Sequence, residues 1–192
     1  FQIKLPENIY HINNIVQDAE GYIWIGTRRH GVLKSTDSAL SEETQFVNWK
    51  HADADGSYHL QKDQNGFIWI GSEHGTIQKL NPITQELTTI SLPDTLTNVA
   101  EEGKVQGLFM NTRNRLWVTT TKNIGVYDEN TNQWLVFQKY LESYGKVTCI
   151  VEDQEGVMWL GTERGVFEAQ VPLDIPNKIN MTGGFEKEAG LT

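Results

Sequence analysis

The chain has 192 residues, 38% of them apolar and 10% aromatic, which is enough to bury a sizeable core and excludes a disordered segment. Sixteen basic residues against 25 acidic ones give a net charge of −9, which opposes the counterion release behind generic nucleic-acid binding, so neither DNA nor RNA is an expected partner. Cys149 is the single cysteine, so an intrachain disulfide is excluded, and no apolar run reaches the length of about eighteen residues that a membrane-inserting helix needs.

In chain order, "FQIKL" (residues 1–5) reads as an outer strand of a preceding or closing unit. The first full unit opens on the strand "INNIVQD", turns at Asp18 to Gly21, and continues through "YIWIGT", a loop of Arg28, Arg29 and His30 closing on Gly31, and the strands "GVLKS" and "TQFVNWK". The second repeats the plan as "SYHLQKD", a turn at Asp63, "FIWIGS", Glu73 and His74 before Gly75, "TIQKL" and "ELTTISL". The third reads "VQGLFMN", "RLWVTT", Lys122 and Asn123 before Gly125, "GVYDE" and "NQWLVFQ". The fourth reads "VTCIVED", "VMWLGT", Glu163 and Arg164 before Gly165, "GVFEA", and an outer strand within "GGFEKEAGLT". These units span about 12–50, 57–93, 104–140 and 146–187, and their signature tryptophans, Trp24, Trp69, Trp117 and Trp159, lie 45, 48 and 42 residues apart.

The turn has a physical reading. Its Asp can accept backbone N–H groups two residues on, and its Gly can take positive φ; in the third unit Asn111 and Asn114 stand in these places, and Asn also tolerates the left-handed region. The Trp strand is apolar on both faces, as expected of a sheet sandwiched between neighbours. Gly26, Gly71 and Gly161, two residues after each Trp, let the adjacent sheet approach closely, and Thr119 breaks that rule. Four short antiparallel strands per unit, repeated with one aromatic signature, predict an all-β fold: a β-propeller with four blades of four strands. A sandwich has no reason to repeat at this period. The four tryptophans are expected between blades, Trp49 and Trp134 less constrained on outer strands, and Cys149 as a small hydrophobe in a buried strand.

The phrase D-x-x-G-x-[IVL]-W-[IVL]-G-[TS]-x-x-G-[VIL] resembles the two-component regulator propeller repeat of extracytoplasmic sensor regions in bacterial hybrid histidine kinases and some diguanylate cyclase proteins. Three units match it closely, while the third departs at Asn114, Thr119 and its longer loop to Gly125. The resemblance implies a periplasmic, ligand-sensing or signal-relaying domain of a two-component or cyclic-di-GMP receptor, without catalytic activity in this segment and without a cofactor. It implies an oligosaccharide or other small ligand, and a segment of a larger propeller whose end blades meet the parent protein's remaining blades or a second copy. A closed four-bladed ring completed by residues 1–5 is the alternative.

In an up-and-down blade, the first-to-second and third-to-fourth strand turns lie on one face, and the second-to-third and blade-to-blade loops on the other. The repeat fixes the first of these turns and leaves the second-to-third loops free to vary, so the candidate ligand-binding residues are Arg28, Arg29, His30, Glu73, His74, Lys122, Asn123, Glu163 and Arg164. "HADADGSYH" hints at a calcium loop, but an EF-hand frame from His51 puts Lys62 where a bidentate Glu is required, and no metal is expected. No nucleophile elbow, phosphate-binding loop or paired-carboxylate motif is present. A propeller lyase or hydrolase and a protein-docking platform stand as the other functional classes.

Overall fold

Three of the four sheets are built around an Asp turn, and the third sheet around Asn111. In a computed structural model describing residues 5–7, 9–49, 58–72, 75–97, 104–121, 123–137 and 145–169, with the backbone of 185–186, Asp18 Oδ1 accepts the N–H groups of Glu20 at 3.0 Å and Tyr22 at 2.9 Å. Asp63 and Asp153 bind their own turns in the same way. The turn glycines Gly21, Gly66 and Gly156 stand at φ 96°, 85° and 80°, and Asn114 takes their place at 58°. The remaining Asp oxygen has a use that the strand pattern does not announce. It accepts the indole N–H of the same repeat's Trp, at 2.8 Å for Trp24, 2.9 Å for Trp69 and 2.8 Å for Trp159, so one carboxylate fixes both the hairpin and the core aromatic.

Four antiparallel sheets follow one another along the chain. The first comprises β1 (Ile12–Gln17), β2 (Ile23–Thr27), β3 (Val32–Ser35) and β4 (Phe46–Asn48); the second β5 (Tyr58–Lys62), β6 (Ile68–Ser72), β7 (Thr76–Leu80) and β8 (Leu87–Ser91). The third comprises β9 (Val105–Met110), β10 (Arg115–Thr120), β11 (Ile124–Asp128) and β12 (Gln133–Phe137); the fourth β13 (Val147–Glu152), β14 (Met158–Thr162), β15 (Gly165–Ala169) and β16 (Phe185–Glu186). Strand order within each sheet is sequence order, the up-and-down plan of a propeller blade, and the inner strands β1, β5, β9 and β13 are successive neighbours.

The core lies between the sheets. Trp24, Val32 and Trp49 of the first sheet pack with Tyr58, Leu60 and Ile70 of the second. Trp69 and Ile77 pack with Val105, Leu116 and Val118 of the third, and Trp117 and Val126 with Val147, Met158 and Leu160 of the fourth. Each Trp-bearing strand is therefore buried on both faces where a sheet flanks it. Trp159 is only half-buried, and Val151 and Val166 on its face are exposed; no sheet lies over that face among the described residues.

Several expectations are corrected. Trp49 is buried, edge-on to Trp24 with ring centroids 5.8 Å apart, because its N–H continues the ladder to the Val32 carbonyl at 2.7 Å and so sets its ring on the face that Val32 and Trp24 share. Trp134 is half-buried, 5.0 Å from Tyr127. Cys149 is exposed rather than buried. A short helix, α1 (Asp94–Thr97), follows the second sheet, started by Pro93, whose carbonyl accepts the Leu96 N–H at 2.8 Å. It seats the buried Leu96 so close to Gly125 that a Cβ there would lie 2.8 Å from a Leu96 methyl.

Candidate functional site

The inner strands carry the features that build a site. Three of them, β1, β9 and β13, hold a bulge at the same place, with Asn13, Gln106 and Thr148 as the extra residue. A bulge leaves its residue outside the ladder and re-aims the side chain. All three line recesses among the inner strands.

Beside each of the three bulges, and at the equivalent place in the unbulged β5, lies a cross-strand pair with one glycine in it: Asn14 with Gly26, His59 with Gly71, Gly107 with Thr119, and Cys149 with Gly161. In the first two sheets the glycine admits the next inner strand, since a Cβ on Gly26 would lie 2.6 Å from the Tyr58 carbonyl and one on Gly71 would lie 2.6 Å from Val105. In the third sheet the glycine has changed strands: Thr119 supplies the side chain, and Gly107 makes room, a Cβ there falling 3.0 Å from the Thr119 hydroxyl. This resolves the exception at Thr119. The side chains of these pairs, Asn14, His59, Thr119 and Cys149, face one recess of about 240 Å³.

A second recess, of about 410 Å³, shares Asn13, His59 and Gln106 with the first and is walled by Arg28, Arg29, Lys104 and Lys146. It lies on the loop face predicted for recognition. Asn14 stiffens the floor: its side-chain amide bonds the N–H of Leu60 at 3.0 Å and also the Leu60 carbonyl, so it pairs with β5 as a backbone unit would. Burial, and then the charge of Lys146, push the His59 imidazole down to about 4, so the ring is neutral near pH 7. Arg29 holds φ at 71°, a region that costs a non-glycine residue about 1–2 kcal/mol.

The predicted site residues separate. Arg28 and Arg29 line the cationic recess. His30 is turned to its own loop, with Nδ1 3.2 Å from the Arg28 carbonyl. Asn123 donates to the Thr95 carbonyl at 2.8 Å and so fastens its loop to α1. Glu163 is held against the segment entering β13, its carboxylate accepting the Lys146 N–H at 3.4 Å, and the Arg164 N–H donates to Thr162 Oγ1 at 3.2 Å; both side chains are exposed. Glu73, His74 and Lys122 lie outside the described residues, as do residues 1–4 and 51–57. Sequence reasoning missed Asn13, His59, Lys104, Gln106 and Lys146. A signal was available, since polar residues recur four or five places before the turn Asp or Asn in strands that are otherwise largely apolar.

The opposite face is latched by its turns. Gln64 donates to the Thr112 carbonyl at 3.0 Å, and Thr112 donates its N–H and hydroxyl to Glu152 at 2.6 and 2.7 Å, which links the second, third and fourth sheets. Among the described residues no group of three His, Cys, Asp or Glu side chains is placed to hold a metal.

These sheets define a β-propeller segment. Residues 5–29 and 142–164, covering the first and fourth Trp repeats, match the family described as two component regulator propeller. No curated protein matches the sequence. Among solved structures, virginiamycin B lyase from Staphylococcus aureus is similar at 14% identity, with a TM-score of 0.65 over 93% of this chain and 57% of that one. The extracellular domains of two proteins from B. thetaiotaomicron described as hybrid two component systems are similar at 17% and 18% identity, with TM-scores of 0.63 and 0.64 over 95% and 90% of this chain. This chain spans 26% and 23% of those domains, and just over half of the lyase. No helix among the described residues is long and apolar enough to cross a membrane.

Proposed function

We propose that this chain is a propeller segment of an extracytoplasmic, periplasmic receptor domain in bacterial two-component or cyclic-di-GMP signalling, and that it takes a small ligand in the paired recesses at its inner strands. The observation that carries this reading is the convergence of polar side chains from bulged inner strands and variable loops onto one concavity. The opposite face is committed to holding turn against turn. Binding residues on loops above a rigid sheet scaffold are the usual arrangement for recognition. The repeats matched to the regulator propeller family, and the extracellular domains of similar fold, support the same role.

The lyase of similar fold makes eliminative chemistry the second reading. It asks for a base in the concavity, where the imidazole among the described lining residues is that of His59; pushed down to about 4, it is a weak base near neutral pH. The test is a thermal-shift screen of neutral and acidic oligosaccharides, followed by recovery of any ligand that raises the melting temperature. A ligand recovered chemically unchanged supports sensing; one recovered cleaved with a new double bond establishes the lyase.

A further inference from the structure

We infer that the ligand of the paired recesses carries carboxylate or sulfate groups, held at the mouth by Arg28, Arg29 and Lys146. The inference rests on the sensing function proposed above and makes its ligand specific. A chain of net charge −9 repels anions at long range. Around this one cavity the balance reverses: Arg28 and Arg29 from the β2–β3 loop, and Lys104 and Lys146 from the segments entering β9 and β13, stand together, and no described lining residue is acidic. The cations come from three separate chain segments, so their meeting is a product of the fold rather than of a basic run in the sequence.

Arg28, Arg29 and Lys146 are not gathered to serve internal ion pairs. Lys79 and Arg115 form ion pairs with Asp63, Glu129 and Asp128, and no such pair engages Arg28, Arg29 or Lys146 among the described residues. Glu163, beside this site, is turned to a backbone N–H. Like charges converging on a cavity favour whatever anion enters it, and a guanidinium presents the planar fork that matches a carboxylate or sulfate with two hydrogen bonds. Below the cations the wall changes character. Asn13, Gln106 and the neutral His59 lead into the 240 Å³ recess, where Leu108, Phe109 and Ile150 add apolar surface. The geometry fits an anionic group at the mouth on a neutral, partly apolar body within.

Isothermal titration of the 192-residue chain with trigalacturonate, glucose 6-sulfate, inorganic sulfate and neutral maltotriose tests this. At least one of the two organic anions should bind more tightly than inorganic sulfate and maltotriose, and carboxylate or sulfate is read from which one. Raising NaCl from about 50 to about 500 mM should weaken it roughly 10-fold or more, since exposed charges are screened. Arg28→Ala with Lys146→Ala should weaken it about 10- to 100-fold, the loss of charge-assisted hydrogen bonds. Arg29→Gly should also weaken it while keeping the melting temperature, because glycine accepts the backbone angle that Arg29 holds. Binding of maltotriose that is indifferent to salt and to these variants would overturn the anion inference and leave the sensing function standing. Binding by neither organic anion would overturn it too, and turnover of a bound sugar would remove the sensing function itself.

Discussion

Trp117 and Asn111 do not make the hydrogen bond that joins tryptophan to turn in the other three repeats. The Asn111 Oδ1 accepts the N–H groups of Arg113 and Arg115 at 3.1 and 2.9 Å, as the aspartates do, but the other end of an amide is a donor. The indole N–H of Trp117 is left buried without a partner among the described residues.

Asn111→Asp should therefore stabilise the protein, by about 1 kcal/mol at pH 7, by giving that indole its acceptor. Asp63→Asn should do the reverse and cost about 1–3 kcal/mol. The pH dependence follows from Asp153, whose carboxyl is held below the usual carboxylate range first by the Trp159 indole and then by the Val157 N–H. A carboxyl lowered in the folded state stabilises above its unfolded value and loses that contribution as pH falls through the folded one. The gain from Asn111→Asp should accordingly disappear in acid. Urea unfolding at pH 7 and pH 3 measures it; an unchanged midpoint at pH 7 would contradict the account.

The exchange of glycine between strands in the third sheet predicts coupling. Gly71→Ala should cost at least about 1–3 kcal/mol, since its Cβ would meet Val105 at 2.6 Å in a packed core. Gly107→Ala should cost less, the neighbour being the Thr119 hydroxyl at 3.0 Å, and Thr119→Gly should relieve it. A double-mutant cycle on residues 107 and 119 should give a coupling of about 0.5–3 kcal/mol; additive effects would mean that the pair is not the unit.

Trp69→Ala should cost about 3–5 kcal/mol as a buried large-to-small change, and Trp159→Ala less, because Trp69 is 1% exposed between two sheets and Trp159 is half-buried. Equal losses in thermal unfolding would show that position within the repeat, rather than coverage by the next sheet, sets the contribution.

His59 should make the fold sensitive to mild acid. Its folded value, about 4, lies below its ordinary 6.5, so between these values the unfolded chain binds a proton that the native one refuses. Stability should fall as pH drops from about 6.5 toward 4, and be unaffected by this group above that window. Lys146, Arg28, Arg29 and Lys104 face the same cavity and oppose the added charge. His59→Gln should flatten the acid limb. An NMR titration placing the imidazole midpoint near 6.5 would contradict the burial argument.

The period, the turn chemistry and the close approach at Gly26 and Gly71 were legible because each is a local demand repeated in register. What escaped depends on tertiary coverage. "VTCIVED" alternates in the same way whether or not a further sheet lies over Cys149, and nothing local tells Trp49 that Trp24 waits beneath it. The candidate site was half legible. Arg28 and Arg29 follow from the loop rule, while Lys104 and Lys146 join them only because the sheets pack with β1, β5, β9 and β13 as neighbours, which no local pattern announces.

The central claim is that one face of this propeller recognises a ligand and the other holds the turns. The most direct measurement is the dissociation constant of a ligand found by screening, compared between Arg28→Ala with Lys146→Ala on one face and Gln64→Ala with Glu152→Ala on the other. The recess variant should weaken binding about 10-fold or more with little change in melting temperature, and the turn variant should lower the melting temperature while binding persists. Binding lost with the turn variant while it is still folded, and kept in the recess variant, would contradict the assignment.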